Sequence, residues 1–212
     1  MFPFLNLILL SYCIFAMLCA GAVRKKNLQN TMLKNLLDAC GASLAYFAVG
    51  YAFSYGDSDN SFIGASNFFL SGLDDTNFTF WVFQFTFCAS SATIVAGTLA
   101  ERCQMIAYFY YSAMVSGFVY PVAVHAFWSS NGFLSPFKTD GGDLFLGTGV
   151  LDFAGGAVVH LLGKFIIICV VACDCKARLN DGSLLWFLWM SDSNSPLFII
   201  HSIFHHSLLL CY

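Results

Sequence analysis

Charged residues are scarce in this sequence. Asp, Glu, Lys and Arg make up 10% of its 212 residues, against about 25% in a typical water-soluble domain. So little polar surface does not cover a particle in water, and a soluble or secreted binding module would need a larger core than this chain builds. A net charge of -3 without a basic stripe excludes a nucleic-acid partner. Missing too are a Gly-x-x-x-x-Gly-Lys-Ser/Thr phosphate loop and an activated nucleophile, so no enzyme is expected. Cys173-Asp174-Cys175 and His205-His206 lack a second pair at zinc spacing, and neither metal nor cofactor is expected. The nine cysteines fall mostly within apolar stretches, where they read as small packing residues rather than a disulfide framework.

What the chain does have is apolar length. Hydrophobic residues are 58% of it, with 24 Phe. They gather in five runs: Leu5 to Val23, about Asn30 to Tyr55, Phe78 to Leu99, Met105 to Phe127, and about Gly147 to Val171. Each approaches the length that crosses a hydrocarbon core about 30 Å thick. The expectation is an all-α, polytopic helical membrane protein in a lipid bilayer. The first run reads as a span rather than a signal peptide, because no positive charge precedes it and Arg24-Lys25-Lys26 follows. Arg24, Lys25, Lys26 and Lys34 border the first connection, Arg102 lies in the third, and Lys176 and Arg178 follow the fifth run. The second and fourth connections are acidic, with Lys138 their only basic residue. Seven basic residues against one put the odd connections in the cytosol and the N-terminus outside. After Lys176 the pattern breaks into a Trp-Phe-Leu-Trp patch and a short apolar piece interrupted by His201, His205 and His206. This tail is expected to be interfacial and poorly defined.

The fifth run carries the most informative pattern. Asp152-Phe153-Ala154-Gly155-Gly156-Ala157-Val158-Val159-His160 sets a carboxylate and an imidazole in a segment whose other ionisable group, cysteines aside, is Lys164. An Asp in a span costs about 2.5 to 3.5 kcal/mol on insertion scales, so such residues usually face a bundle interior or a water-filled path. In a continuous helix, His160 would lie about 12 Å deeper than Asp152, near the midplane. A permeation or proton-handling site is the default reading.

Further motifs stand in one order from residue 15 to residue 160. They are Phe15-Ala16-Met17-Leu18-Cys19-Ala20-Gly21 with Val23-Arg24-Lys25-Lys26-Asn27, then Gly50-Tyr51-Ala52-Phe53 and Gly97-Thr98-Leu99-Ala100-Glu101-Arg102. Gly117-Phe118-Val119-Tyr120-Pro121, Phe127-Trp128-Ser129-Ser130 and Leu151 to His160 follow. In these stretches the chain resembles the ammonium transporters of the Amt/Mep/Rh superfamily, most closely the plant Amt type. The resemblance implies the first half, about five transmembrane helices, of the family's inverted-repeat fold, which has eleven spans and assembles as trimers. It stops near Gly163, where Lys164-Phe165-Ile166-Ile167-Ile168-Cys169 departs from the family's Gly/Ala-rich continuation. The expected domains are therefore 1–163, transporter-like and partial, and 164–212, a divergent tail holding the end of the fifth span. A second repeat, with its own pore histidine, is expected to be missing, as in a truncated product.

The same resemblance implies a substrate site at Trp128, Phe87 and Asp152 and a pore at Phe83 and His160. By position alone, Trp128 is an interfacial anchor; in the family it helps hold ammonium, and an indole face attracts a cation by roughly 0.5 to 2 kcal/mol. Phe83 and Phe87 share a helix face at i, i+4, which in so Phe-rich a chain also describes plain packing. The resemblance puts Phe87 at the cation site and Phe83 in a stacked gate below it. Asp152 is a helix N-cap or a buried carboxylate shaping the ammonium site, and the roles can coexist. His160 is a satisfied interior histidine or one of the family's two mid-pore histidines, a task suited to a ring that donates and accepts. The function implied is transport of ammonium or ammonia across a membrane, expected to be the plasma membrane, with an incomplete pore. The competing reading is a non-transporting truncated fragment that enters homo- or hetero-trimers with full-length relatives and interferes with them.

Overall fold

The computed structural model describes residues 2–57, 60–101, 105–138 and 144–168, and among these the regular structure is entirely helical. Helix α1 is Phe2–Ala22, and a 3-10 turn at Lys25–Asn27 leads into α2, Leu28–Ala45. A π-turn, Tyr46–Gly50, joins α2 to α3, Tyr51–Tyr55. Then come α4, Asp75–Leu99, and α5, Met105–Met114, which passes through a second π-turn, Val115–Val119, into α6, Tyr120–Trp128. Last is α7, Gly156–Ile168, opening with a third π-turn at Gly156–Leu161. The chain divides into Met1–Gly163 and Lys164–Tyr212, and the packing below is that of the first unit. The tail with Cys173-Asp174-Cys175, His201, His205 and His206 lies outside the described residues.

Within this unit α2 packs against α4 and α5, α1 against α4 and α2, and α3 against α6. The distribution of polarity is the inverse of a water-soluble protein's. Leu36, Ile106 and Met114 are 61%, 72% and 65% exposed, whereas Thr31, Asp38, Ser91, Thr93, Ser112 and His125 are buried. Apolar side chains facing outward lose nothing in lipid, where association rests on internal packing and polar contacts. The interior hydroxyls satisfy themselves locally: Thr31, Ser54, Ser90 and Thr93 each donate to the carbonyl four residues earlier, at 2.8 to 3.0 Å. By length and composition, the stretches Lys25–Tyr55 and Asn77–Leu99 can cross a membrane. The described cysteines, Cys13, Cys19, Cys40 and Cys88, are free thiols.

Four of the apolar runs became helices whose ends lie within three residues of the expected ones. The fifth did not. Its helix begins at Gly156, because Gly147, Gly149 and Gly155 take φ near +79°, +73° and +81° and turn the chain back on itself. Lys34, expected at the border of a connection, is instead 7% exposed. Its ammonium donates to Ala100 O at 2.8 Å, at the C-terminal end of α4 where the helix dipole favours a cation, and lies 5.3 Å from the centre of the Tyr108 ring.

At the same end of the bundle Glu101 ties the α1–α2 connection to the end of α4. Its Oε1 accepts from Arg24 N–H at 3.0 Å, Arg24 Nε at 3.2 Å and Asn27 Nδ2 at 2.9 Å, while Oε2 pairs with Arg24 Nη2 at 3.2 Å. The backbone N–H of Arg24, then its guanidinium and Asn27, hold the carboxyl down from 4.5 to about 2. A depressed folded pKa gives stability that is present above the unfolded value and lost as pH falls toward the folded one. Glu101→Gln is thus expected to lower Tm modestly at neutral pH, since the pair is solvent-screened. The gap from wild type should close as pH drops from about 4.5 to about 2. Thermal melts across that range check it, and a gap that ignores pH would remove the charge from the account.

Candidate functional site

Trp128 ends α6, and its indole N–H donates to the backbone oxygen of Asp152 at 2.6 Å. With the N–H engaged, the ring face is what remains for a ligand. Phe87 meets that ring edge-on, centroids 5.7 Å apart at 67°, and Phe83 meets Phe87 at 5.1 Å and 86°. Phe80 continues the file 6.5 Å from Phe83, and Tyr55 of α3 closes it 5.1 Å from Phe80. All but the tilted Phe80–Phe83 pair are edge-to-face, and such pairs contribute about 0.5 to 1.5 kcal/mol beyond their burial, so the rings hold one another in place. Phe83 precedes Phe87 on α4 and stands about 6 Å nearer the helix start, the end that packs against Tyr55. The expected order is therefore corrected: Phe83 lies on the loop side of Phe87, not below it.

Asp152 caps α7. Its Oδ1 accepts from Gly156 N–H at 2.7 Å, and its Oδ2 accepts from Ala157 and Val158 N–H at 2.9 and 3.0 Å. Three of the four orphan donors at a helix start are satisfied by one carboxylate. Gly155 makes the geometry accessible, since a Cβ there would stand 2.6 Å from Val159 Cγ2 in a backbone region L residues avoid. His160 follows only four residues into the helix, so about 6 Å of rise separates it from Gly156, not the 12 Å expected for continuous helix from Asp152. Its backbone N–H donates to Gly155 O at 3.1 Å, and its side chain is half-buried. Trp128, Phe87, Phe83 and Asp152 thus touch in sequence, and His160 is linked to them through the turn that Asp152 caps.

A family model described as Ammonium Transporter Family matches residues 1–181. The chain belongs to the ammonium transporter family. Ammonium transporter 1 member 1 of Arabidopsis thaliana is 48% identical over 149 residues, 69% of this chain and 30% of that protein. Ammonium transporter 1 member 3 of Solanum lycopersicum is 50% identical over 151 residues, 70% of this chain and 32% of that protein. Among solved structures, "Sensor Amt Protein" superposes with a TM-score of 0.66 at 29% identity, covering 78% of this chain and 40% of that one. The N240A mutant of Candida albicans Mep2 has a TM-score of 0.58 at 23% identity, over 78% of this chain and 37% of that one, a likeness of fold. This ammonium transporter family chain therefore spans about 30% of the length of the plant relatives it matches. It is a membrane protein of a transporter family, not an enzyme.

Sequence reasoning passed over several buried polar residues of this family member. Asp38 is 1% exposed among α2, α4 and α5; Thr93 Oγ1 lies 3.4 Å from its Oδ2, and Ser112 Oγ donates to its backbone oxygen at 2.7 Å. The signal for it was present, since Asp38 is the one acid inside the second apolar run. His125 is fully buried, with Nδ1 2.9 Å from Ser54 O and Nε2 3.2 Å from Asn60 O, and so joins α6 to the end of α3 and the loop beyond. No motif announces that role.

Proposed function

We propose that this chain carries the first half of a path that moves ammonium across the plasma membrane. The contact series Phe87–Trp128–Asp152 is the observation that supports it. An ammonium ion is drawn to the faces of the Trp128 and Phe87 rings, where the Asp152 charge offsets the positive end of α7. Carrying the bare ion inward costs several kcal/mol or more, so the proton passes to water at the mouth and neutral ammonia continues. Phe83 guards the approach on the loop side. His160, one turn into α7, offers ring nitrogens that donate to or accept from ammonia. A second repeat supplies the facing wall and its histidine, and subunits associate as trimers. One observation favours a second reading, in which the chain enters trimers of longer relatives and impairs them: it spans about 30% of those relatives.

Residues 1–160 joined to the second half of a plant relative should restore ammonium-dependent growth to a transporter-deficient yeast. Trp128→Leu in the joined protein should cut uptake about tenfold, the loss of about 1.4 kcal/mol of cation stabilisation. Uptake indifferent to Trp128→Leu would leave the indole as a membrane anchor only.

A further inference from the structure

Asp38 takes no part in the Trp128–Phe87–Asp152 assembly, yet it is 1% exposed inside α2, in a stretch long and apolar enough to cross a membrane. Two hydroxyls stand within reach of its carboxyl, that of Thr93 on α4 and that of Ser112 on α5. A hydroxyl has one hydrogen to give, and each of these has given it elsewhere. Thr93 Oγ1 donates to Ala89 O at 2.8 Å, and Ser112 Oγ to the backbone oxygen of Asp38 at 2.7 Å. Thr93 Oγ1 therefore meets Asp38 Oδ2, 3.4 Å away, with a lone pair. Asp38 Oδ1 has no hydrogen-bond partner.

No opposite charge compensates. The titratable groups that face Asp38 are the Cys19 thiol from α1, the Cys88 thiol from α4 and the Tyr111 phenol from α5. None of them offers a positive charge. The Cys88 thiol is turned to Ser116 O at 3.9 Å, and the Tyr111 phenol donates to Ala92 O at 3.1 Å. On α2 itself Lys34 stands one turn earlier, but its ammonium is directed to Ala100 O and over the Tyr108 ring. Among the described residues Asp38 forms no ion pair. Asp152 makes the contrast, because three N–H groups converge on its carboxylate.

An ionised carboxyl only accepts hydrogen bonds, whereas a protonated one donates through its O–H. A buried charge with neither donors nor a counter-charge neutralises itself instead. A proton on Oδ2 turns the lone-pair contact with Thr93 into a hydrogen bond. It also needs no cavity, so close packing around Asp38 is no obstacle. We infer that Asp38 is a proton-binding site inside the bundle, a neutral carboxylic acid whose Oδ2–H donates to Thr93 Oγ1 and ties α2 to α4. The proton is taken from water before the helices close around the side chain. This site is separate from the ammonium reading and does not depend on it. Hydrogen bonds between helices are among the attractions left to them in lipid. Loss of the proton would set a bare charge among α1, α2, α4 and α5, so the packing of these helices and the retention of the proton are one condition.

Infrared difference spectroscopy tests the inference on the purified full chain at neutral pH. The detergent is one without ester or carboxyl groups, whose carbonyl stretch would mask the signal. Wild type minus Asp38→Asn should show the C=O stretch of a carboxylic acid, lost in the variant, with the carboxylate bands unchanged. In Thr93→Val the acid band should remain and move to higher frequency, because the O–H loses its acceptor. Loss of carboxylate bands rather than an acid band in Asp38→Asn overturns the inference, as does an acid band that Thr93→Val leaves unmoved. Should Asp38→Asn fail to fold, the comparison of wild type with Thr93→Val decides alone: a shifted acid band upholds the site, and an absent or unmoved one sinks it.

Discussion

Reconstituted by itself into liposomes, the 212-residue chain should admit ammonium no faster than empty vesicles do, and at least about tenfold more slowly than the joined protein. A tenfold difference corresponds to about 1.4 kcal/mol of barrier. The reason is geometric. On the proposed reading, Phe83, Phe87, Trp128 and the first turn of α7 form one side of a path, and a polar path at membrane depth needs a closed wall because lipid satisfies no polar group. An internal pH dye under an imposed ammonium gradient gives the readout. Conduction well above the empty control would mean that two copies pair and complete the wall between them.

Asp152→Ala in the joined protein carries the second large effect. It leaves the N–H groups of Gly156, Ala157 and Val158 without their acceptor. A lost cap costs about 0.5 to 2 kcal/mol in ordinary helices, and donors away from water push the figure toward 1 to 3 kcal/mol. Uptake should fall more than about tenfold, because the turn that positions His160 loosens while the negative charge beside the aromatic pair disappears. Asp152→Asn separates these causes, since its remaining oxygen still accepts while the charge is gone. Melts and uptake measured together assign them: Asn restoring Tm without uptake puts the charge in the mechanism, and full recovery of both makes Asp152 a cap alone. An Ala variant with wild-type Tm and uptake would sink both roles.

Much of the helical layout was legible because an uninterrupted apolar run leaves the backbone little choice but to satisfy itself. Leu5 to Val23 and Phe78 to Leu99 needed nothing more than their length. The fifth run misled because glycine reads as tolerable in an apolar segment, whereas Gly147, Gly149 and Gly155 hold left-handed conformations that delay the helix to Gly156. Trp128 and Asp152 stand 24 residues apart, so their hydrogen bond depends on the path of an intervening loop that no periodicity encodes. Phe83 and Phe87 were visible as one helix face, yet which of them meets Trp128 follows from how α4 lies against α6. The buried tyrosines looked like ordinary packing in a chain that is 17% aromatic. Asp38 was within reach of the rule that singled out Asp152, a buried acid in an apolar run.

The hydrogen bond from Trp128 to the backbone of Asp152 joins the last residue of α6 to the residue that starts α7. The indole is therefore a lever as well as a platform. On the proposed reading, a cation that tilted the ring would pull on the backbone of Asp152, whose carboxylate caps the first turn of α7 on which His160 rides. Through that one ring the end of α6 and the start of α7 are held as a single piece.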